Sequence, residues 1–467
     1  MSKTRVMGLI VITIAAVLIA LVKPLTNLSP QGHHILAVVM VTLGLWIFRD
    51  SALAYFAGGA MLLGGSLAFG LPLATVAAGF ASSAVWVLIP ALFFGFALVK
   101  TGLGKRIAFL VLKTFEPSYG SVVLSWCIIG LLLSALTPSI TVRIAIVMPI
   151  AMNLVEACKL PDRSRGSALI NLVAWASALI PGTCWLTGSL WGVFMLGFYP
   201  AEIKPLVTFG SWFEYMAVPW AIATVVFVVL LYLVMKPKEP LSIPKDAFEK
   251  QYAALGKVSR QEILTAVILL SALFMFATEK FHHISTPAVA LFAFLALMLF
   301  RIVTFPEIST GVNWDIIYFF GAAISLSSIL IKAGITGWMR PLIEPGVLAF
   351  ADQPMMLLFV IVGGMWLIRF LDVPWGFSTI ALTAPLFIPL HQVHHLHPAL
   401  ISVAVIAAGN SFFMSYQQPF ITMGEAMTKS RAWTPGHVSA GGAVYAVAVL
   451  GGIFLASFYW KAMGLMP

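Results

Sequence analysis

The stretch LLSALTPSITVRIAIVMPI, from Leu132 to Ile150, decides the predicted fold. It is apolar at both ends, yet its middle contains an arginine and several residues that break helices. Proline lacks a backbone donor and disfavours a helical conformation at the residue before it, so a break is expected at Pro138. The stretch therefore predicts two helices that meet inside one apolar run, with the second running to about Met148.

The composition of the whole chain indicates a membrane protein. Of 467 residues, 61% are hydrophobic and 9% are charged, and the mean hydropathy is +1.00. Soluble domains carry about 25% charged residues, and apolar runs long enough to cross a bilayer recur along this chain. The net charge of +10 fits basic cytoplasmic loops better than nucleic-acid binding. We predict a multi-pass protein of the cell (inner) membrane with a cytoplasmic N-terminus.

Two pairs of similar segments suggest an internal repeat. SSAVWVLIPALFFGFALVKTGLGKRI begins at Ser82 and VNWDIIYFFGAAISLSSILIKAGITGWM at Val312; each has a tryptophan near its start and a Lys-x-Gly turn after its apolar run. SITVRIAIVMP from Ser139 likewise resembles TIALTAPLFIP from Thr379. We predict an all-α polytopic membrane protein with about eleven transmembrane helices and two re-entrant helical hairpins in two inverted-topology repeats.

The predicted domains follow from these repeats and from one polar segment. They are an N-terminal transmembrane helix (1–32), a first inverted repeat (33–235) with its hairpin at 121–158, a cytoplasmic linker (236–262), and a second inverted repeat (263–467) with its hairpin at 354–393. Inverted repeats with interrupted helices are typical of secondary transporters, whose substrates bind where the interruptions meet near the midplane.

The first interruption has the residues expected of an anion site. Hydroxyl side chains at a helix start cap its free N–H groups, and those groups with the helix dipole attract an anion. An arginine within the membrane is functional by default, which points to Arg143. The alternative is that the hydroxyls only satisfy broken backbone and that Arg143 extends to the cytoplasmic face.

The second half offers a matching hairpin turn, DVPWGFSTIALTAP, which begins at Asp372 and follows Arg369. These two residues are three apart and thus close on one helical face; the alternative to a functional role is a structural ion pair, which would also need an interior location. Each hairpin is followed by another predicted break, whose carbonyls suit sodium and whose polar side chains suit a solute. The predicted substrate-binding residues are Thr137, Ser139, Thr141, Arg143, Ser378, Thr379, Gln417 and Gln418. The candidate ion-coupling residues are Ser139, Gly182, Thr183, Thr187, Asn410 and Ser415. We predict no catalytic residue, no metal site and no cofactor other than sodium as a candidate coupling ion.

Several segments resemble the divalent anion/sodium symporter family over nearly the whole chain. They are WVLIPALFFGFALVKTGLGKRIA, NWDIIYFFGAAISLSSILIKAGITGW and FGSWFEYMAVPW. TPSITVR, from Thr137 to Arg143, is similar to the TPSNTAR form of the citrate/succinate and oxoglutarate/malate exchanger branch. The resemblance implies a homodimer with a fixed scaffold and a moving transport domain, in which the hairpin tips and following breaks hold a small dianion and sodium ions.

The chain departs from that family at its signature motifs. Ser-Asn-Thr reads Ser139-Ile140-Thr141 in the first half and Thr379-Ile380-Ala381 in the second, so both amides are replaced by isoleucine. The Thr-Pro-Pro-Asn element after each break is also missing. The loss of both asparagines favours proton coupling or anion exchange over sodium symport.

These observations predict a secondary active transporter of a small organic anion, resembling a di- or tricarboxylate, that works by an elevator-type movement. Coupling to sodium, coupling to protons and anion exchange stay open. An inorganic anion such as sulfate, or a sulfonate, is the alternative substrate for the same fold. An ion channel and an intramembrane enzyme are less favoured, since the sequence has no Gly-x-Ser-x-Gly or His-Glu-x-x-His motif.

Overall fold

Ten helices of the described residues are long and apolar enough to cross a membrane. The structure is a computed structural model that describes residues 3–48, 54–115, 118–199, 202–237, 241, 247–348, 350, 353–370, 391 and 396–466. These residues form helices and connecting loops, with no β-strand among them. The structure thus confirms an all-α polytopic membrane protein.

In the first half, one helix ends before the predicted break at Pro138 and another begins after it. A second interruption follows the helix that ends at residue 179. Its helices are α1 (Lys3–Val22), α2 (Pro30–Ile47), α3 (Tyr55–Ala68), α4 (Leu73–Val76), α5 (Ser83–Thr101), α6 (Leu103–Leu112), α7 (Tyr119–Leu136), α8 (Ile140–Ala157), α9 (Arg165–Leu179), α10 (Leu190–Gly197) and α11 (Phe209–Met235).

The second half is preceded by a short helix in the polar linker, α12 (Ala247–Ala254). The helices that follow are α13 (Arg260–Ala277), α14 (Glu279–His282), α15 (Thr286–Leu299), α16 (Phe305–Thr310), α17 (Trp314–Lys332), α18 (Ile335–Leu348), α19 (Pro354–Arg369), α20 (Pro398–Asn410), α21 (Pro419–Met427) and α22 (Pro435–Ala462). The expected turn of the second hairpin, with Asp372, Ser378 and Thr379, lies outside the described residues.

The described helices of the two halves occur in the same order. In each half, a long apolar helix (α5 or α17) is followed within two residues by a glycine with positive φ, Gly102 at 83° and Gly334 at 73°. Only glycine adopts this backbone readily, which explains the repeated Lys-x-Gly turn. The order that follows is the same in each half. An amphipathic helix comes first, then a hairpin helix and a buried helix. A break and a long final helix come last. The inverted orientation and the domain boundaries stay predictions.

The first hairpin breaks where the sequence predicts, but its second helix is longer than expected. Helix α7 ends at Leu136 and α8 begins at Ile140, so the break at Pro138 is confirmed. The predicted end near Met148 is wrong, because α8 continues through Pro149 to Ala157. A proline removes one helical hydrogen bond, and such a loss is tolerated in membrane helices whose neighbours pack around it.

Two helices form the centre of the molecule. Every residue of Gly166–Leu179 in α9 and of Pro398–Asn410 in α20 is buried, and each of these helices leads into a break. Helices α11 and α22 pack along each other, with Trp460 Nε1 donating to the Tyr215 backbone oxygen at 3.1 Å. The breaks are therefore placed inside the protein, where unpaired backbone groups are tolerated at membrane depth.

Candidate functional site

The tip of the first hairpin is closed by its own hydroxyl groups. Thr137 is extended, and its Oγ1 accepts from the backbone N–H of Ser139 at 3.2 Å. Ser139 is the N-cap of α8, and its side chain accepts from the N–H of Val142 at 3.3 Å. Both side chains are buried, whereas Thr141 is exposed. Two of the predicted substrate residues thus satisfy broken backbone, as the alternative interpretation of the sequence expected.

Arg143 is fully buried, and its guanidinium binds backbone carbonyls. Its Nε donates to the Ala178 oxygen at 2.7 Å, and its Nη1 donates to the oxygens of Thr137 at 2.5 Å and Gly188 at 2.6 Å. Nη2 has no acceptor among the described residues. Arg143 therefore does not extend to the cytoplasmic face. It joins the hairpin tip, the end of α9 and the break that follows α9.

Helix dipoles offset the buried charge of Arg143. Thr137 is the C-cap of α7, and Ala178 lies in the last turn of α9, where carbonyls have no intrahelical partner. A helix C-terminus carries roughly −0.5 of an elementary charge, so two of them supply about −1. Among the described residues, the partners of the guanidinium are these carbonyls and no carboxylate.

The first break is folded tightly around the Arg143 side chain. It consists of a 3-10 turn, Pro181–Cys184, and an irregular segment that ends at Ser189, the N-cap of α10. A Cβ atom on Gly182 would lie 2.5 Å from the Gly188 oxygen and 2.6 Å from Arg143 Nη2. Only glycine allows this approach. Thr183 donates to the Ile180 oxygen at 2.6 Å, and Thr187 is buried.

The second break is closed by Gln417, which lies in a 3-10 turn between α20 and α21. Its Oε1 accepts from the N–H groups of Phe413 at 2.7 Å and Met414 at 2.9 Å. Arg369, at the end of α19, donates through Nη2 to the Gln417 backbone oxygen. Each half thus has a buried arginine that joins a hairpin helix to the following break. The side-chain amide of Gln417 stabilises the second break by accepting these two backbone N–H groups.

Gln418 differs from Gln417 in having a vacant acceptor. Its Nε2 donates to the Asn410 backbone oxygen at 3.1 Å, whereas its Oε1 is buried without a donor among the described residues. Ser415, a candidate ion-coupling residue, instead donates to Glu425 Oε1 at 2.7 Å. The same carboxylate oxygen accepts from Trp433 Nε1 at 3.3 Å.

The two breaks lie against each other. Trp191, in the first turn of α10, donates through Nε1 to Asn410 Oδ1 at 2.9 Å, and both side chains are buried. Trp175 in α9 packs edge-on against Phe412, with ring centroids 5.0 Å apart. The segments after α9 and after α20 therefore meet in the core. Trp191 is not among the predicted site residues, although a tryptophan beside a break needs an acceptor for its N–H when buried.

An ionic cluster joins the first hairpin to the second half at the end of α8. Arg431, in the loop before α22, pairs with Glu156 at 2.8 Å and with Asp162 at 2.9 Å. Arg163 donates back to the Ser430 oxygen at 2.7 Å. The hairpin α7–α8 is thus connected to the second half in two places. At the tip, Arg143 binds the first break, and Trp191 joins that break to Asn410. At the base, Arg431 joins the hairpin to the loop before α22.

The contacts described above link most of the predicted site residues of the first hairpin and both breaks. Thr141 is the exception in the hairpin because it is exposed, and Ser415 instead bonds to Glu425. Ser378 and Thr379 lie outside the described residues, as does Asp372, the expected partner of Arg369. The residues of the described site are Thr137, Ser139, Arg143, Gly182, Thr183, Asn410, Gln417 and Gln418.

The family model for the sodium:sulfate symporter transmembrane region matches residues 3–466 of this chain. A protein described as a membrane protein from Cupriavidus necator is 28% identical over 394 residues, covering 80% of this chain and 76% of the relative. The putative malate transporter YflS of Bacillus subtilis is 23% identical over 362 residues, covering 75% of this chain and 74% of the relative.

A further relative and a solved structure extend these comparisons. The L-tartrate/succinate antiporter of Escherichia coli K12 is 24% identical over 303 residues, covering 62% of this chain and 61% of the relative. The crystal structure of the Alcanivorax borkumensis YdaH transporter superposes with a TM-score of 0.58 at 14% identity, covering 93% of this chain and 98% of that one. This last likeness concerns the fold alone.

Proposed function

This chain belongs to the sodium:sulfate symporter family, and we propose that it is a secondary transporter that exchanges small organic dianions without a coupling sodium ion. The match agrees with the resemblance of TPSITVR and the other segments to divalent anion/sodium symporters. Members of a transporter family move solutes rather than transform them. The proposal therefore concerns the substrate and the coupling.

One observation carries the coupling proposal: the guanidinium of Arg143 is bound by the carbonyls of Thr137, Ala178 and Gly188. Unwound segments of transporters bind sodium through carbonyl oxygens of this kind, beside helix C-termini. In this chain the guanidinium of Arg143 already binds these carbonyl oxygens. A sodium ion at the same place would have to displace a buried arginine or share its acceptors at a short distance, which charge repulsion opposes.

The motif sequence supports the same conclusion. The family's Ser-Asn-Thr asparagine is replaced by Ile140, whose side chain is buried and has no oxygen to offer a cation. The Ser139 hydroxyl already accepts a backbone N–H. The first half therefore keeps the permanent charge of the Arg143 guanidinium where the family resemblance implies a dissociable sodium ion. Such a fixed charge suits the exchange of one dianion for another.

The substrate class rests on the relatives and on the chemistry of the breaks. Two relatives are described as a putative malate transporter and as an L-tartrate/succinate antiporter. In this chain the N-termini of α8 and α10 begin beside the site, and such termini attract carboxylates. The vacant Oε1 of Gln418 would accept from a substrate hydroxyl. We therefore propose a hydroxy-dicarboxylate as the preferred substrate, with sulfate or a sulfonate as the alternative suggested by the family description.

The mechanism we propose is an elevator-type movement in a homodimer with inverted repeats. It is supported by the shared order of helices in the two halves and by contacts that join the hairpin to the first break, the first break to the second, and the hairpin to the loop before α22. In this proposal those elements move as one body together with α11 and α22, because Trp212 of α11 donates to the Thr183 oxygen at 3.2 Å and Ser439 of α22 donates to the Phe413 oxygen at 2.8 Å. This body moves against the remaining helices. We propose that the protein lies in the cell (inner) membrane. In the proposed orientation its N-terminus and the linker face the cytoplasm.

The experiment is counterflow in proteoliposomes loaded with unlabelled malate, tartrate, succinate or sulfate and given labelled malate outside. Exchange predicts label accumulation only in loaded vesicles, in sodium-free buffer and without a pH gradient. If labelled malate accumulates in empty vesicles, and only when a sodium or pH gradient is applied, exchange is excluded. If counterflow occurs only in vesicles loaded with sulfate, the alternative substrate is favoured. Liposomes with the Arg143→Ala variant are the matched control.

A further inference from the structure

Helix α6, which leads into the first hairpin, is bound to the second half of the chain through Arg106. The Arg106 side chain is buried, and its guanidinium donates to both carboxylate oxygens of Glu262, at 2.7 and 3.2 Å. It also donates to the backbone oxygens of Gly256 at 3.2 Å and Leu255 at 3.4 Å, just after the linker helix α12. Glu262 lies in the first turn of α13. Because a buried charge that loses its partner is strongly destabilising, we expect these contacts to persist during transport.

Helix α5 has further polar contacts with the second half. Lys100, in the last turn of α5, donates through Nζ to the Ile302 backbone oxygen at 2.9 Å and to Glu307 at 2.7 Å. Before α5 begins, the N–H of Gly79 donates to Ser325 Oγ of α17 at 2.9 Å. Helices α5 and α6 are therefore held to α13, α17 and the loop after α15.

The first hairpin lies against α5 and α6 at two glycines. A Cβ atom on Gly95 of α5 would lie 2.5 Å from Oγ1 of Thr137, at the hairpin tip. A Cβ atom on Gly104 of α6 would contact Cδ1 of Ile146, in α8. Glycines let neighbouring segments in a membrane protein approach closely without interlocked side chains. Because interlocked side chains resist sliding, both contacts suit surfaces that move past each other.

A third glycine contact lies between α17 and α10, which begins at the end of the first break. A Cβ atom on Gly197, the last residue of α10, would lie 2.6 Å from Cγ1 of Ile324. The hairpin and the first break are themselves joined by a buried charge, since Arg143 donates to the Gly188 oxygen. The three glycine contacts thus mark a boundary, with α5, α6 and α17 on one side and the hairpin and the first break on the other.

We propose that the first hairpin and the first break slide past α5, α6 and α17 at this boundary during transport, while Arg106 holds α6 in place. The inference rests on the proposed transport function and adds which contacts change in each cycle. The ion pair between Lys280 of α14 and Glu214 of α11 also crosses the boundary, but it is exposed and 3.6 Å long, so it breaks readily. The buried contacts of Arg106 and Arg143, one on each side, stay intact.

Two disulfide cross-links across the boundary test this proposal in malate counterflow. One pair is Gly104→Cys/Ile146→Cys. The Cβ position of Gly104 lies 3.4 Å from Cγ1 of Ile146, and cysteine lacks the Cδ1 atom that would crowd it. The other pair is Gly197→Cys/Ile324→Cys, between α10 and α17. In each pair we expect oxidation to abolish counterflow and reduction with dithiothreitol to restore it.

A matched control joins two helices on the same side of the boundary. Val38→Cys/Gly65→Cys links α2 to α3, where the Cβ position of Gly65 lies 3.4 Å from the Val38 Cβ. This cross-link should leave counterflow unchanged, as should oxidation of each single-cysteine variant. Maleimide labelling of the free thiols measures how much cross-link has formed, and counterflow after reduction shows that each variant is folded.

Unchanged counterflow in either cross-linked pair would overturn the proposal, because the joined helices would then move together. Failure of a folded pair to cross-link, while the control pair does, would also overturn it, since the glycine contact would be absent. If the unmodified protein shows no counterflow with any of the tested anions, the proposed function is wrong, and this inference with it.

Discussion

The Nη1 atom of Arg143 lies 2.6 Å from the backbone oxygen of Gly188, across the gap between the first hairpin and the break after α9. The same atom contacts the Thr137 oxygen, and Nε contacts the Ala178 oxygen. One buried side chain therefore holds together three chain segments that lack regular helical hydrogen bonds. In the part of the chain that the structure describes, its partners include carbonyls at the ends of two helices and no acid.

Removal of this side chain should abolish transport. We expect Arg143→Ala to lower the exchange rate about a hundredfold, since hydrogen bonds to charged groups contribute about 1.5–3 kcal/mol each and several carbonyls lose their donor. Arg143→Lys should retain part of the activity, because it keeps the charge with fewer fixed donors. Exchange is measured in proteoliposomes, with size-exclusion profiles as a check on folding. If added guanidinium ion restores exchange in Arg143→Ala, the loss is specific to the missing cation.

The close approach of Gly182 and Gly188 predicts a strong effect of one methyl group. Gly182→Ala places a Cβ 2.5 Å from the Gly188 oxygen, so the break must open and the contacts of Arg143 must shift. Overpacking of this kind costs about 1–3 kcal/mol, and we expect a lower melting temperature together with a loss of exchange. Gly451→Ala on α22 is the matched control, because a Cβ there has no neighbour within 4 Å. Equal behaviour of the two variants would contradict the tight packing of the break.

The hydrogen bond between Trp191 and Asn410 predicts energetic coupling between the two breaks. Trp191→Phe keeps the aromatic packing but removes the donor, which leaves a buried acceptor at a cost of about 1–3 kcal/mol. In a double-mutant cycle of thermal stability with Asn410→Ala, the two effects should be non-additive. Additive effects would mean that the breaks are energetically independent.

A surface ion pair predicts a stability change at low pH. The Lys100 ammonium, together with Thr304, lowers the pKa of Glu307 to about 2. Because the folded-state pKa is below the ordinary value of 4.5, the stabilisation is present above pH 4.5 and is lost as the pH falls towards 2. We expect Glu307→Gln to lower stability by up to about 1 kcal/mol at neutral pH, as is usual for partly exposed pairs. Melting curves of the two proteins should converge in acid; a constant difference would contradict this assignment.

The fold could be predicted from the sequence because its main determinants are local. Apolar runs, the break at Pro138 and the repeated Lys-x-Gly turn each follow from the conformational preferences of nearby residues. The end of α8 could not be predicted in the same way. Whether a proline ends a membrane helix depends on the packing around it. Pro149 is half-buried, and its neighbours Met148 and Ile150 are buried.

The site was only partly predictable because its contacts use backbone atoms from distant segments. The polar residues at the breaks were identifiable, but the sequence does not show that Gln417 accepts from Phe413 and Met414. Nor does it show that Arg143 uses carbonyls from Ala178 and Gly188. Backbone oxygens are the same at every residue, so only the tertiary structure reveals which of them meet a cation.

The sodium dependence of exchange tests the central claim most directly. Malate counterflow is measured in proteoliposomes while sodium is replaced stepwise by choline at constant ionic strength. If the Arg143 guanidinium takes the place of a coupling ion, the exchange rate is the same at every sodium concentration, including zero. A rate that rises with sodium and vanishes without it would show that a dissociable cation is still required, and the account of Arg143 would be wrong.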